Sequence, residues 1–313
     1  MIDLVTRLHH RNAPERNRLV LDQIPWAHGT PRLLALGYDF AVRATSEALG
    51  AYLEQLLASF TSPGPEPLHL YSFIDEPDRP DERYVIYRDG EHVVTTAYAS
   101  TALRHLLWDI NRRVVEETPN LLLLHASAAE HRGRAVIFPA EMDSGKTTLV
   151  AGLVRAGLRY LTDETVAIDG ETLAVHPYPK PLSLDPGSWR VLPDLRPELD
   201  PELAPFARGQ WHVDPGSIRA DAVAPPVEVG FVIAPRYERG GGTELVPMPR
   251  EEALLLLASS SFNIDRFGSE RGLQVMAAVV RRSACYRLTI DDLDVACELI
   301  LTAVDAQPTD ARR

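Results

Sequence analysis

The segment FPAEMDSGKTTL at residues 138–149 contains residue types that can bind phosphate groups. Gly145, Lys146 and Thr147 match the second half of the phosphate-loop pattern G-x-x-x-x-G-K-[ST]. In that pattern backbone N–H groups surround the phosphates, the lysine reaches the outer phosphates, and the hydroxyl after it coordinates Mg²⁺. Ala140 stands where the pattern has its first glycine, and alanine can make the tight turn there if its φ is negative. The segment therefore predicts a nucleotide site with an altered first position.

Two acidic residues, Glu141 and Asp143, lie inside the predicted loop. Their side chains would repel phosphates only if they pointed inward, because the phosphates are held by backbone groups. Outward-pointing acids are compatible with binding, and an accidental helix start without a ligand is the alternative interpretation. The predicted nucleotide-binding residues are Ala140, Asp143, Ser144, Gly145, Lys146, Thr147 and Thr148.

Two adjacent carboxylates, Asp163 and Glu164, follow a short strand pattern that ends at Leu161. Strand ends at the edge of a sheet are where α/β folds gather ligand-binding groups. One carboxylate could accept a proton from an attacking hydroxyl while the other helps to hold a metal ion. A solvated acidic turn is an equally good interpretation of the spacing, since the whole chain is acidic.

A third segment, HPYPKP at residues 176–181, is rich in proline and predicts a rigid extended loop. Lys180 in this loop could contact a phosphate, and a plain surface loop is the alternative. The residue types alone do not decide between these two interpretations.

The elements that must position these residues are two strands, a loop and a helix. The apolar runs LLLLHASAAE and RAVIFPA flank a turn at 131–133 and predict paired strands that lead into the loop. After the loop, an apolar helical stripe runs from Leu149 to Val154, and Gly157 follows where a helix would end with a left-handed residue. Phosphate binding depends on this order, because the free N–H groups and the dipole at a helix start face the ligand.

Composition and charge limit the classes of function. A chain of 313 residues that is 45% hydrophobic can form one large domain or two smaller ones. The formal net charge of −12 argues against a general nucleic-acid binder, which needs a basic face. Two cysteines are too few for a disulfide framework. The first twenty residues are interrupted by charges and predict neither a signal peptide nor a membrane span, so we expect a cytoplasmic protein.

The periodicity changes along the chain and suggests a domain border near residue 115. Before it, helical spacing at 44–60 and 101–117 surrounds alternating strand patterns between 68 and 99. We therefore predict an N-terminal α+β domain at 1–115 with a docking or packing role. A P-loop domain at 116–305 and a disordered tail at 306–313 would follow it.

The block from LLLLHASAAE to LTDETVAID resembles the catalytic domain of HPr kinase/phosphorylase and of HPr-kinase-related proteins. In that family a histidine precedes the strand pair, the phosphate loop follows, and an acidic pair comes a helix and a strand later. His125, residues 140–147, Asp163 and Glu164 occupy these positions. The resemblance extends from residue 119 to about 305. It implies an α/β fold with a mixed sheet, of the phosphoenolpyruvate-carboxykinase-like type.

The resemblance also implies an activity: transfer of the γ-phosphate of ATP to a hydroxyl, typically of serine, on a peptide, protein or small molecule. By position, Lys146 would bind the β- and γ-phosphates, Thr147 would bind Mg²⁺, and Asp163 would act as the general base. Glu164 stands where the family has a second aspartate and is the other candidate metal ligand. His125 would act beside Asp163, with a core histidine as the alternative.

The implied cofactors and partners are Mg²⁺, ATP and a hydroxyl-bearing acceptor, with no nucleic acid and no membrane. Formation of a homo-oligomer stays open. A second interpretation is a nucleotide-responsive module that binds a peptide or protein without phosphate transfer, which the altered loop would favour. A third is a simple NTPase.

Overall fold

The computed structural model describes residues 13–140 and 144–306 of the chain. The predicted tail at 306–313 lies outside these residues except for Ala306. The α-helices are α1 (Pro14–Leu21), α2 (Glu47–Leu56), α3 (Ala99–Glu117), α4 (Lys146–Arg155), α5 (Pro215–Ile218), α6 (Arg250–Ser259), α7 (Ile264–Phe267), α8 (Ser269–Arg282) and α9 (Leu293–Asp305). The strands are β1 (His28–Gly29), β2 (Leu33–Ala35), β3 (Tyr38–Ala44), β4 (His69–Asp75), β5 (Tyr84–Arg88), β6 (Glu91–Thr96), β7 (Leu121–His131), β8 (Arg134–Pro139), β9 (Arg159–Thr162), β10 (Thr165–Asp169), β11 (Ala174–His176), β12 (Leu182–Leu184), β13 (Trp211–Val213), β14 (Val227–Tyr237), β15 (Glu244–Pro247) and β16 (Ala284–Ile290).

This mixture of helices and sheets is an α/β fold, as the sequence predicts at that level. The described chain forms two compact units, one of residues 13–117 and 197–214 and the other of residues 118–196 and 215–306. Residues 197–214 belong to the first unit, although they lie within 116–305, the range predicted for the second domain. One border near residue 115 therefore does not reproduce this division. None of the described helices has the length and apolar character needed to cross a membrane.

The first unit is built on a sheet with the strand order β1-β3-β4-β5-β6, and β2 pairs with β3. β3 and β4 are parallel, so the chain crosses over through α2, which begins after the N-cap Ser46. Asp89 and Gly90 connect β5 to β6 with φ values of 50° and 86°. Positive φ at both positions is typical of a two-residue hairpin turn.

Phe206 explains why residues 197–214 belong to the first unit. Its ring centroid lies 5.9 Å from that of Tyr52, 6.2 Å from that of Phe73 and 5.5 Å from that of Tyr84. Aromatic rings in such contacts bury large apolar areas. Long-range packing of one side chain therefore brings this segment back to a sheet that ended far earlier in the sequence.

The second unit contains an eight-stranded sheet with the order β11-β10-β7-β8-β14-β16-β15, and β9 also pairs with β7. β7 is long enough to pair first with β10 and then with β9 along the same edge. β11 pairs with β14 as well as with β10, so the path through β10, β7, β8, β14 and β11 closes on itself. The enclosed apolar core includes Leu124, Ile137, Val166 and Val232, all fully buried.

A buried carboxylate fixes the hairpin between β7 and β8. Arg132 and Gly133 form its turn with φ values of 50° and 80°. Glu130 accepts a hydrogen bond from the Gly133 N–H at 2.6 Å and forms an ion pair with Arg159 at 2.5 Å. Arg159 begins β9, so this contact joins the hairpin to the strand that leads to Asp163 and Glu164.

We predict that Glu130→Gln lowers the free energy of unfolding by about 1–3 kcal/mol at pH 7, because Arg159 and the Gly133 N–H lose a charged acceptor. Burial alone would raise the pKa of Glu130, but the hydrogen bonds from Arg159 and Gly133 outweigh it and hold that pKa below the ordinary value of 4.5. The contribution is therefore fully present above about pH 4.5 and is lost as the pH falls through the lower folded pKa.

Urea unfolding of wild type and variant at pH 7 and near pH 4 measures this difference. Glu238→Gln is the control, because Glu238 forms only an exposed pair with Arg236 at 3.8 Å and should change stability little. A difference between wild type and Glu130→Gln that is as large near pH 4 as at pH 7 would contradict the ionic contribution.

Candidate functional site

The predicted phosphate loop connects β8 to α4, in the order strand, loop and helix that the sequence predicts. Gly145 is the N-cap of α4 with φ 84° and ψ 13°, a left-handed conformation that glycine adopts without a steric penalty. Gly145 has no side chain that could cap the helix. The N–H groups of a first helical turn point toward the place where an anion would bind.

Lys146 folds back over this loop. Its side chain is buried, and Nζ donates hydrogen bonds to the Ala140 carbonyl at 2.8 Å and to the Ser144 hydroxyl at 3.4 Å. Ala140 and Ser144 are the described residues on either side of the segment 141–143, so the ammonium spans the loop. The predicted contact Asp143 lies outside the described residues.

The two hydroxyl residues after Lys146 differ in their surroundings. Thr147, the predicted Mg²⁺ ligand, is half-buried in the first turn of α4. The Thr148 hydroxyl lies 2.6 Å from the Ser188 hydroxyl. Thr148 therefore anchors the helix start to a neighbouring segment, and its hydroxyl is already hydrogen-bonded.

Asp163 and Glu164 form the short turn between β9 and β10. The Thr162 hydroxyl accepts hydrogen bonds from the backbone N–H groups of Glu164 at 3.3 Å and Thr165 at 3.1 Å, which fixes the turn locally. Asp163 is only 4% exposed, whereas the Glu164 side chain is 37% exposed. The two carboxylates thus lie side by side at different depths.

Lys180 lies between these carboxylates and forms with them what we call the lysine–carboxylate triad (Lys180, Asp163 and Glu164). Its Nζ is 3.1 Å from Asp163 Oδ1 and 3.1 Å from Glu164 Oε2. The fully buried Tyr160 hydroxyl donates to the same Asp163 Oδ1 at 2.8 Å and lies 3.2 Å from the Lys180 carbonyl. The Lys180 side chain is 11% exposed, so the surface-loop alternative for this residue is wrong.

The electrostatics of the triad favour its ionised form. Burial alone would lower the pKa of Lys180, but Asp163 and Glu164 outweigh it and raise that pKa above its ordinary value. Burial would raise the pKa of Glu164, but Lys180, with smaller contributions from His125 and Lys146, lowers it overall. Lys180 is therefore an ammonium and Glu164 a carboxylate at neutral pH.

His125 lies on β7 directly opposite Thr165 of β10, and the N–H of the next residue donates to the Glu164 carbonyl at 3.2 Å. Its ring contacts Phe262 edge to face at a centroid distance of 5.5 Å. Burial, aided by the Lys146 charge, lowers the pKa of His125. The imidazole is therefore neutral at pH 7. Its buried Nε2 has no hydrogen-bond partner among the described residues.

The structure brings the sequence-predicted groups into one neighbourhood. The charges of Lys146, Glu164, Asp163 and Lys180 all act on the His125 imidazole. The phosphate loop and the acidic pair, separated in sequence by a helix and a strand, thus converge around β7. This convergence supplies what a phosphoryl transfer requires, namely cationic and N–H groups for an anion next to a carboxylate.

Lys180 is the functional group whose partners the sequence interpretation missed, and composition contained a signal for it. The chain has only two lysines, Lys146 and Lys180, against thirty arginines. Both lysines are buried at this site. Lysine presents a compact point charge with three donors, whereas arginine presents a planar fork of five donors that suits bidentate contacts. The rarity of lysine therefore distinguishes these two positions from the other cationic residues.

The described side chains offer few ligands for a metal ion held by the protein itself. Within the described ranges, no three His, Cys, Asp or Glu side chains form a group that could hold a metal. The Glu164 carboxylate, a predicted metal ligand, already contacts the Lys180 ammonium. Because the Lys180 ammonium lies between the two carboxylates, these residues do not fit a metal ion held there.

Among solved structures, part of the chain is similar to the Hpr(Ser) kinase/phosphatase from Coxiella burnetii, with 12% sequence identity and a TM-score of 0.29. The similarity covers 58% of this chain and 95% of that one. No protein-family model matches the chain, and no curated protein sequence matches it. At this identity and TM-score the likeness indicates a distant relation at most and carries no argument about fold or site. The phosphoenolpyruvate-carboxykinase-like fold type therefore stays an expectation.

Proposed function

We propose that the second unit binds Mg-ATP at residues 140–148 and transfers the γ-phosphate to a hydroxyl, most simply that of serine, on a peptide, protein or small molecule. The observation that supports this proposal is the convergence of Lys146, His125 and the lysine–carboxylate triad at one place. Phosphoryl transfer consists largely of positioning and charge neutralisation, so a small set of charged groups can perform it.

The phosphates would be held by the start of α4 and by Lys146. The N–H groups of the first helical turn, which begins after Gly145, and the positive end of the helix dipole attract an anion. Lys146 Nζ, which bridges the two sides of the loop at Ala140 and Ser144, would exchange these neutral partners for phosphate oxygens. Charge-assisted hydrogen bonds are the stronger ones, so this exchange favours binding.

Mg²⁺, when bound with the nucleotide, would neutralise part of the phosphate charge. Thr147 is the residue of this chain that would hold it, because it follows Lys146 at the helix start. The remaining proposed roles belong to groups that hold or move protons and orient the acceptor.

Asp163 is the proposed general base. The acceptor oxygen forms a bond to the γ-phosphorus, the bond from that phosphorus to the β–γ bridging oxygen breaks, and ADP leaves with the bond's electron pair. The hydroxyl proton passes to the Asp163 carboxylate. Tyr160 and Lys180 both contact Oδ1 and thereby fix the direction of the carboxylate. The neutral His125 imidazole would support the orientation of the acidic turn from the adjacent strand.

One observation favours the competing function, a nucleotide-responsive binding module without transfer. Asp163 is almost fully buried, and its Oδ1 already contacts the Tyr160 hydroxyl and the Lys180 ammonium. A carboxylate so occupied can have a purely structural role. Transfer of labelled phosphate separates the two functions, because only the kinase produces a phosphorylated acceptor.

We predict that Mg-ATP stabilises the wild-type protein and that Lys146→Ala weakens this effect. A ligand at about a hundredfold excess over its Kd adds about 2.7 kcal/mol to the free energy of unfolding. Loss of the charged hydrogen bonds of Lys146, about 1.5–3 kcal/mol, should weaken binding roughly tenfold or more.

Urea unfolding with and without Mg-ATP, together with calorimetric titration, measures both effects. Arg282→Ala is the matched control, because it removes the same charge at an exposed position of α8 and should leave ATP binding unchanged. If millimolar Mg-ATP does not stabilise the wild-type protein, the proposal that it binds Mg-ATP is contradicted.

We predict that Asp163→Asn retains ATP binding and loses phosphate transfer by about 10²–10⁴-fold, the usual contribution of a general base. The measurement uses γ-labelled ATP with a pool of serine-containing peptides and with cell extract, and follows label incorporation and added mass. Asp265→Asn, at an exposed position, is the control and should transfer at the wild-type rate.

Three outcomes of this experiment are diagnostic. Transfer at the wild-type rate by Asp163→Asn would exclude Asp163 as the base. Release of phosphate without a labelled acceptor would instead indicate a simple NTPase. ATP binding with neither transfer nor release would indicate the binding module.

A further inference from the structure

The surroundings of the Lys180 ammonium have the composition of a small cation site. Nζ contacts three oxygen atoms: Asp163 Oδ1 at 3.1 Å, Glu164 Oε2 at 3.1 Å and the Pro181 carbonyl at 3.3 Å. An ammonium group has three N–H donors and no acceptor, so three oxygens satisfy it completely. Carboxylate and carbonyl oxygens are also the ligands that hard divalent cations prefer.

The segment that carries Lys180 holds the ammonium in place through its backbone. The Lys180 N–H donates to the Tyr178 carbonyl at 2.9 Å, and the Lys180 carbonyl lies 3.2 Å from the Tyr160 hydroxyl. Pro179 and Pro181 on either side restrict the backbone angles of the segment. Lys180 therefore enters the acidic pair from a backbone with little freedom to withdraw.

We propose that Lys180 takes the position that a second metal ion would otherwise occupy, and that its ammonium positions Asp163 while excluding divalent cations from the carboxylate pair. The protein then uses a single divalent ion, the one that arrives with the nucleotide. The positioning of Asp163 rests on the proposed function, but the exclusion of metal rests on the contacts of Lys180 alone.

Charge explains why removal of Lys180 should change what the site binds. The triad carries two carboxylates and one ammonium, so it has a net charge of −1. Without Lys180, two neighbouring carboxylates and one carbonyl face a space from which a cation has been removed. Like charges this close do not remain ionised together without a counter-ion, and a divalent cation with oxygen ligands would compensate both.

The first test measures Mn²⁺ binding by electron paramagnetic resonance in the absence of nucleotide. We expect no tight Mn²⁺ site in wild type, and one in Lys180→Ala that binds at least tenfold more tightly than any site in wild type. Lys180→Met keeps most of the side-chain volume without the charge, so it should not gain the site. Arg282→Ala lowers the net charge equally at an exposed position and controls for general attraction of Mn²⁺ to an acidic chain.

A double variant connects the gained site to the carboxylates. Lys180→Ala with Glu164→Gln leaves one carboxylate without a charged neighbour and should lose the Mn²⁺ site again. If Lys180→Ala does not fold alone, Mn²⁺ is added during refolding, and recovery of native structure supports the proposal. Failure of Mn²⁺ either to bind or to restore folding in Lys180→Ala would overturn it, as would a tight Mn²⁺ site in nucleotide-free wild type.

A second test uses the two lysines directly. Protein labelled with ¹⁵N-lysine has two side-chain ammonium groups, and the one at Lys180 should exchange slowly with water because its protons are donated to buried oxygens. Its signal should not shift when Mg²⁺ is added alone. A large shift or loss of that signal with Mg²⁺ would show that the metal displaces Lys180 and would contradict the proposal.

These measurements separate this inference from the proposed function. If wild type does not bind Mg-ATP but Lys180→Ala gains a Mn²⁺ site, the proposed kinase function is contradicted and the proposed role of Lys180 is supported. If wild type binds Mg-ATP and transfers phosphate but Lys180→Ala binds no Mn²⁺, the proposed function is supported and the exclusion of metal by Lys180 is contradicted.

Discussion

The arrangement of the candidate site depends on one buried ammonium group placed between two carboxylates that are adjacent in the chain. Asp163 is almost fully buried and Glu164 only partly so, and the two carboxylates would repel each other because the low polarity around Asp163 strengthens Coulomb forces. Lys180, 3.1 Å from each carboxylate, offsets this repulsion. Removal of one partner from a buried ion pair leaves an uncompensated charge and costs more than the pair contributes. The turn after β9 and the segment around Lys180 are therefore held in a single arrangement.

The balance of charge extends to the phosphate loop. Lys146 and Lys180 carry two positive charges, Asp163 and Glu164 two negative ones, and burial keeps His125 neutral. A bare polyphosphate would add several negative charges close to carboxylates that are already balanced. A nucleotide that brings its own divalent cation adds far less, so the electrostatics favour a metal-complexed ligand.

The sequence predicts those parts of the site that depend on local rules. Strand pairing around Arg132-Gly133, the helix start at Lys146 and the positive φ of Gly157 follow from turn chemistry and hydrophobic period. The contacts of Lys180 could not be predicted in this way, because they depend on the segment around Lys180 returning to lie beside β9, where the Tyr178 N–H donates to the Leu161 carbonyl at 2.8 Å. The packing of Phe206 on the first unit's sheet is a long-range contact of the same kind. Local patterns contain no information about such pairings, which global packing decides.

The chain has lysine at only two positions, and this rarity marks both of them independently of motif spacing. Arginine supplies the other thirty cationic side chains, and its planar guanidinium distributes five donors over a wide fork. At position 180 such a fork would be too large for three converging oxygens and would leave donors unpaired in a buried place. Position 180 therefore needs a compact charge, and lysine alone among the permanently cationic side chains provides one.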